Sequence, residues 1–326
     1  MTLVLTAASP YWVVQLSDRL VSINTNGRTD VYDPVANKTI VYRATDALVS
    51  IGYSGIAYVG NMPTDEWLAE ILWGARLMRG FDGERPAMTF GGPLHRRDMG
   101  RSIINIRRAI ESLPVASGVD RYGLFLTIAG WQRHRHRFRP IVVEITRFAG
   151  ATKVERAPRH WSAGDTFRIH SIGANIDAAA LRAGYEQFRT PRGLIHCSPV
   201  QIEAVLANTI RSISATNASV GSHILSTILV RPDLGTSGCR FLPMTPHLAQ
   251  VSTARGNWTL PVAHTPRIVG AGMLHPPSLE IGTQQILLGG IPFVIEGAPP
   301  QGGFLGLSSS VRRRSPPMVK RKPRLI

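Results

Sequence analysis

Strand-like runs come in groups in this chain, and helix-like runs come in pairs between them. That grouping limits the fold more than any single motif does. Thr2–Thr6 and Tyr11–Ser17 are short β-rich runs joined by Ala-Ser-Pro, which reads as a hairpin. Thr39–Tyr42 and Ala47–Tyr53 form a second strand pair. Pro63-Thr64-Asp65-Glu66 then opens a helix, with Thr64 as its cap and acids in its first turn. Leu68, Ile71, Leu72, Ala75 and Met78 share one face at helical spacing. Ile103, Ile106, Ile110 and Leu113 mark a second amphipathic helix, ended by Pro114. Strands return at Leu124–Trp131, Arg139–Thr146 and Thr166–Ile172. A third helix starts near Asp177, and a fourth at the capping box Ser198-Pro199-Val200-Gln201. His223–Val230 and Cys239–Pro243 close the series as strands. Such an order predicts layers of helix and sheet and excludes alternating βαβ units.

From 246 onward the pattern weakens. Pro246, Pro261, Pro266, Pro276, Pro277, Pro292, Pro299 and Pro300 break it, leaving Gln285–Leu288 and Pro292–Ile295 as candidate edge strands. The expectation is an irregular Pro/Gly-rich extension over 246–307 and a disordered basic tail over 308–326. Composition agrees with one core plus an appendage. The 326 residues are 44% hydrophobic and 18% charged, which excludes a wholly disordered chain. With 31 glycines and 23 prolines a helical bundle is not expected. No uncharged apolar stretch of about 18 residues occurs, so no membrane-spanning helix is expected.

The formal net charge is +16. Arg312, Arg313, Arg314, Lys320, Arg321, Lys322 and Arg324 crowd the last residues with no acid among them. The run reads as a solvated tail. Its other reading is contact with nucleic acid or an acidic surface through counterion release, without base stacking because aromatics are not interleaved. Cys197 and Cys239 show no pairing pattern, so a reducing, cytoplasmic setting is expected. Pro10 interrupts the apolar start, and no Lys or Arg precedes Arg19, so the start is read as mature structure and not as a signal peptide.

Several local sequences, in order, carry a resemblance: Thr2-Leu3-Val4-Leu5, Ser17-Asp18-Arg19-Leu20-Val21-Ser22, Lys38-Thr39-Ile40-Val41, Ile51-Gly52-Tyr53-Ser54-Gly55 and Ile128-Ala129-Gly130-Trp131. Over about 1–245 the chain resembles a proteasome β-subunit, within the N-terminal-nucleophile hydrolases, as a divergent bacterial-type member. The resemblance implies a four-layer αββα sandwich, two antiparallel sheets packed between helix pairs. It also implies a nucleophilic threonine freed at the N-terminus, here Thr2 once Met1 is removed. An aspartate sixteen residues on is matched by Asp18, and a lysine opening the third strand by Lys38. A small-residue turn supplies the oxyanion donor, here the N–H of Gly55, and Tyr53 matches a position that shapes the substrate pocket. Ring-like homo-oligomers acting on peptide or protein substrates are implied, with an unfoldase or nucleic acid at the Arg312–Arg324 tail as a further partner.

The chemistry suits these residue types. A threonine hydroxyl is a poor nucleophile and needs a base. The chain's own α-amine, with a pKa of roughly 7.7–8.0, can serve as one near neutral pH. A lysine beside them, held charged by an aspartate, lowers their proton affinity. A glycine lets the backbone approach a carbonyl oxygen closely, and one such donor is worth about 3 kcal/mol. The expected activity is that of a threonine-type peptidase or amide hydrolase. The alternative is a catalytically inactive scaffold or assembly protein of the same fold. Departures from the family pattern suit either a divergent enzyme or that alternative: Leu20 stands where an arginine is usual, Ala174 or Asn175 where a serine is, and Asn217 and Val220 in place of an aspartate–serine pair.

Other constellations carry less. His134 and His136 share a strand face, but Arg133, Arg137 and Arg139 surround them, so a hairpin tip is expected and not a metal site. His196 and Cys197 are adjacent and their side chains would diverge. Gly289-Gly290 and Gly302-Gly303 lack the context of a phosphate loop. Neither a cofactor nor a metal is expected. Trp131 is expected to fill a core.

Overall fold

A computed structural model describes residues 2–25, 28–34, 36–75, 89–90, 97–114, 118–157, 167–188, 197–244, 248–253, 256–270, 272–277, 279–281, 283–288 and 290–297. The N-terminal part holds β1 (Leu3–Ala8), β2 (Trp12–Asp18), β3 (Val21–Thr25), β4 (Arg28–Asp33), β5 (Thr39–Arg43), β6 (Ala47–Gly55), β7 (Tyr58–Val59) and β8 (Met62–Pro63). Helix α1 (Thr64–Trp73), β9 (Thr89–Phe90), α2 (Met99–Glu111) and α3 (Val119–Tyr122) follow. Next come β10 (Leu124–His134), β11 (Arg137–Phe148), β12 (Ala151–Arg156), β13 (Arg168–Gly173), α4 (Ala178–Glu186), α5 (Pro199–Thr216), β14 (Ile224–Val230) and β15 (Ser237–Leu242). The C-terminal part adds β16 (Leu248–Thr253), β17 (Gly256–His264), β18 (Arg267–Gly270), β19 (Met273–His275), β20 (Leu279–Ile281), β21 (Thr283–Leu288) and β22 (Ile291–Gly297).

Two large sheets organise these elements. One has seven strands in the order β13-β1-β2-β14-β15-β22-β21, the other eight in the order β12-β11-β10-β6-β5-β18-β19-β9. Three buried clusters show what packs on what. Ile40, Val49, Ile51 and Leu126 of the eight-stranded sheet join Leu68 and Leu72 of α1 and Ile103 and Ile106 of α2. Leu3, Leu5, Val14 and Leu16 of the seven-stranded sheet join Ile202, Leu206 and Ile210 of α5. A third cluster draws Ala8, Val13 and Phe293 from one sheet and Val41, Leu48 and Trp131 from the other. Burying each such large side chain contributes about 1.5–3 kcal/mol.

The two sheets are also tied by polar groups. Gln15 of β2 donates through Nε2 to Thr6 Oγ1 at 3.0 Å and to the Thr127 carbonyl of β10 at 3.1 Å. Ser50 of β6 donates to Gln15 Oε1 at 2.7 Å. Trp131 Nε1 donates to the Leu229 carbonyl at 3.0 Å. Buried polar groups must find partners, so these contacts fix how the sheets sit on each other.

Local chemistry explains the helix ends. Asp98 caps α2 by accepting from Arg101 N at 2.8 Å, and Ser198 with Gln201 forms the expected capping box on α5. Thr64, expected as the cap of α1, is its first helical residue, and its hydroxyl donates to the Ile56 carbonyl at 2.9 Å.

The sheets differ from the expected antiparallel pair at one ladder each. β18 runs parallel beside β5, and β22 runs parallel beside β15. Both strands come from beyond residue 245, where proline punctuation had suggested at most edge strands. Pro292 is tolerated because the parallel ladder starts at Phe293, opposite Ser237. β16, β17 and β20 form a separate three-stranded sheet, and β3–β4 is a hairpin that the sequence pattern did not mark. The basic tail Arg312–Arg324 lies outside the described residues. Among those residues no helix is long and apolar enough to cross a membrane.

Candidate active site

Antiparallel pairing of β1 and β2 sets Val4 opposite Ser17, so the start of β1 meets the end of β2. There the Leu3 N–H donates to Asp18 Oδ1 at 2.8 Å. The same carboxylate accepts at Oδ2 from the backbone N–H of Leu20 at 3.2 Å and of Gly221 at 2.9 Å. Lys38, just ahead of β5, completes the shell: its Nζ lies 3.3 Å from Oδ1 and 3.1 Å from Oδ2. It also donates to the Leu20 carbonyl. Asp18 is 0% and Lys38 2% exposed. Burial lowers the Lys38 pKa from the usual lysine value, and the opposing Asp18 charge and hydrogen bond hold part of it back.

Thr2 is pinned by its backbone. Its carbonyl accepts from Ser54 Oγ at 3.1 Å and from Ala174 N at 2.9 Å. Gly173 makes the second contact feasible: its φ is +102°, and a Cβ there would lie 1.7 Å from the Thr2 carbonyl oxygen. Thr2 is therefore fixed on one side by β13 and β6. On the other side, through the next residue's N–H, it is fixed by Asp18. Thr2 itself is 7% exposed.

Gly55 also has φ +102°, and a Cβ there would meet the Gly123 carbonyl oxygen at 2.1 Å. Close packing of β6 on the turn before β10 thus demands glycine at this position. Tyr53 is buried, its hydroxyl donates to the Asn37 carbonyl at 2.8 Å, and its N–H donates to the Lys38 carbonyl at 3.2 Å. It braces the segment that carries the lysine. Burial, with the Asp65 charge, pushes its phenol well above the usual tyrosine range.

Several contributors lay outside the sequence reading. Gly221 brings the turn after α5 onto Asp18, and Ser54 supplies a hydroxyl to Thr2. Leu20 serves through its backbone alone, and the neighbouring arginine is Arg19, which is 3% exposed. Its Nε donates to the Ala36 carbonyl at 3.2 Å, and its guanidinium lies 5.4 Å from the centre of the Phe241 ring. Burial lowers its pKa to about 10 against the pull of Asp33 and Asp65. Ala174 meets Thr2 only through its N–H, and Val220 is buried. Asn217 Oδ1 accepts from the Ser219 hydroxyl at 2.6 Å, so a polar pair does occupy this turn, one residue off the expected spacing.

An outer clamp holds the lysine segment. Asn37 Nδ2 donates to Asp65 Oδ2 at 2.9 Å, and Arg267 Nε of β18 donates to the same oxygen at 2.8 Å. Ser17 and Thr39 share a hydroxyl contact of 2.8 Å between β2 and β5. The sequence signal for Arg267 is absent, because its partner lies 202 residues away.

No family model matches the chain, and no curated protein matches it. Its structure is similar to that of the Anbu (Gly-1) mutant from Hyphomicrobium sp. strain MC1, at 14% identity over 71% of this chain and 82% of that one, with a TM-score of 0.45. Anbu (ancestral beta-subunit) from Yersinia bercovieri gives 13% identity over 70% and 82%, with a TM-score of 0.41. Another structure of Anbu from Hyphomicrobium sp. strain MC1 gives 16% identity over 71% and 82%, with a TM-score of 0.43. The sequence resemblance is corrected by these findings. These three solved structures are Anbu proteins, and the expectation of a divergent bacterial-type proteasome β-subunit is withdrawn.

Proposed function

We propose that the chain is an amide hydrolase acting on peptide bonds through Thr2, on a four-layer αββα sandwich. The observation that carries the reading is the 2.8 Å hydrogen bond from Leu3 N to Asp18 Oδ1, which sets Thr2 one residue from a buried Asp18–Lys38 pair. With Met1 removed, Thr2 would offer a hydroxyl and an amine on one residue. Its Oγ would attack the carbonyl carbon while the amine takes the hydroxyl proton through a water. Lys38 would lower the proton affinity of both groups, and Asp18 would hold and orient Lys38. The Gly55 N–H would receive the developing oxyanion, and Tyr53 would shape the side-chain pocket. Residues 1–245 would carry the chemistry within a homo-oligomeric ring, the strands beyond 245 would close its sheets, and the tail beyond 308 would be free to meet an acidic partner.

One observation favours the alternative of an inactive scaffold: Ala174 reaches Thr2 by its backbone alone, where a hydroxyl would be expected in an enzyme of this design. Labelling with a threonine-directed covalent inhibitor, followed by mapping of the modified residue, separates the two. Modification at Thr2 that disappears in Thr2→Ala supports hydrolysis. Equal labelling of both proteins would refute it.

A further inference from the structure

β1 runs from Leu3, opposite Gly173, to Ala8, opposite Arg168. At about 3.3 Å per residue its far end lies roughly 17 Å from the Thr2 end. At that far end Ala8, β13 and the β10–β11–β12 edge line a partly open cleft. Among the described residues its lining includes Arg139, Arg156, Arg168, His134 and His170, and no acidic residue.

Two of these cations, Arg139 and Arg156, stand apart from the rest. Arg139 and Arg156 are exposed, and neither side chain makes an ion pair or hydrogen bond among the described residues. His170 bridges the sheets, its Nδ1 lying 2.8 Å from Glu144 Oε1, while its Nε2 is buried with no hydrogen-bond partner among the described residues. The adjoining hairpin adds Arg133, Arg135 and Arg137, all exposed. Arg43 lies close enough for Arg133 to join burial in lowering its pKa. The nearby carboxylate of Asp46 opposes that shift, and it also accepts from Met99 N and from Gln132 Nε2, each at 2.8 Å. Cations gathered along one cleft repel one another, and a bound anion relieves that cost.

The class of anion follows from the donors. Guanidinium groups match the oxygens of phosphate in paired hydrogen bonds, and an imidazole adds a further donor. Among the described residues no Phe, Tyr or Trp lines the cleft, so these residues offer no platform for stacking bases. We propose that this cleft binds the phosphate group of a small phosphate ester, at a site separate from Thr2.

The test is calorimetric titration of the full chain with phenyl phosphate, inorganic phosphate and an oligodeoxythymidylate at one ionic strength. The expected result is saturable binding of phenyl phosphate and of phosphate, weakened roughly tenfold or more in Arg139→Gln/Arg156→Gln, as loss of charge-assisted contacts implies. Both arginines are exposed, so an unchanged thermal midpoint will show that the variant is folded. Equal affinity in the two proteins, or no saturation up to about 10 mM, overturns the proposal. So does tighter binding of the oligonucleotide with affinity rising with its length, which would reassign the arginines to a nucleic-acid backbone.

Discussion

Arg267 on β18 and Asp65 in the first turn of α1 form an ion pair with Nε 2.8 Å from Oδ2, each side chain 4% exposed. Asp65 Oδ2 also accepts from Asn37, the residue before Lys38. A strand from the last quarter of the chain therefore bears on the lysine at the candidate site. Breaking a buried pair by removing one partner strands a charge, at about 3–5 kcal/mol. Arg267→Met is expected to lose that much stability in denaturant titrations. Arg267→Met with Asp65→Leu should recover a large part of it.

Lys38 binds its proton less tightly in the folded chain than in the unfolded one, because burial outweighs the Asp18 contribution. The unfolded state then holds more protons as pH approaches the ordinary lysine value of 10.5, so stability from this group rises with pH in that range. Chemical denaturation across that range should show the rise, and Lys38→Met should flatten it. The same variant should react with the covalent inhibitor slower by orders of magnitude, as loss of a charge at the reacting centre implies.

Position 173 tests the pinning of Thr2. Adding a Cβ at φ +102°, 1.7 Å from the Thr2 carbonyl oxygen, forces the backbones apart. Gly173→Ala is expected to cost about 3 kcal/mol or more, from strain and overpacking together. Denaturant midpoints measure the cost, and Thr2 labelling should fall with it. Gly150→Ala, at φ +77° with open space around its Cβ site, is the control, since it carries the backbone strain without the clash.

Cys197 supplies a pH readout away from the site. Burial raises its thiol pKa from 9.0 to about 11. Because the folded chain holds this proton longer, its contribution to stability is complete below pH 9.0 and is lost as pH rises through about 11. Alkylation of the native protein should accelerate around pH 11, and a midpoint near 9.0 would count against the burial described.

The sequence was readable where periodicity and caps agree. β1, β2, β5 and β6 alternate or run apolar between turn signals, and α5 carries both its capping box and a buried face of Ile202, Val205, Leu206 and Ile210. β3 and β4 escaped because Ser22, Asn24, Thr29 and Asp30 make their alternation mostly polar. β18 and β22 escaped for a different reason. They are held by parallel ladders to β5 and β15, hundreds of positions or tens of positions away, and nothing local announces such a partner. At the site, Asp18 and Lys38 stand out as residue types with a shared chemistry. Gly221 and Ala174 act through backbone N–H groups, which leave no mark in side-chain identity.

The Asp65–Arg267 contact spans 202 positions of chain. During synthesis at about 5–20 residues per second, Asp65 would wait roughly 10–40 s before its partner leaves the ribosome. Until then β5 has a bare edge, and Asp65 has Asn37 but lacks the Arg267 guanidinium. The nascent chain thus has a built-in delay, in which the outer clamp beside the lysine segment stays half made until most of the sheet-forming sequence has been translated.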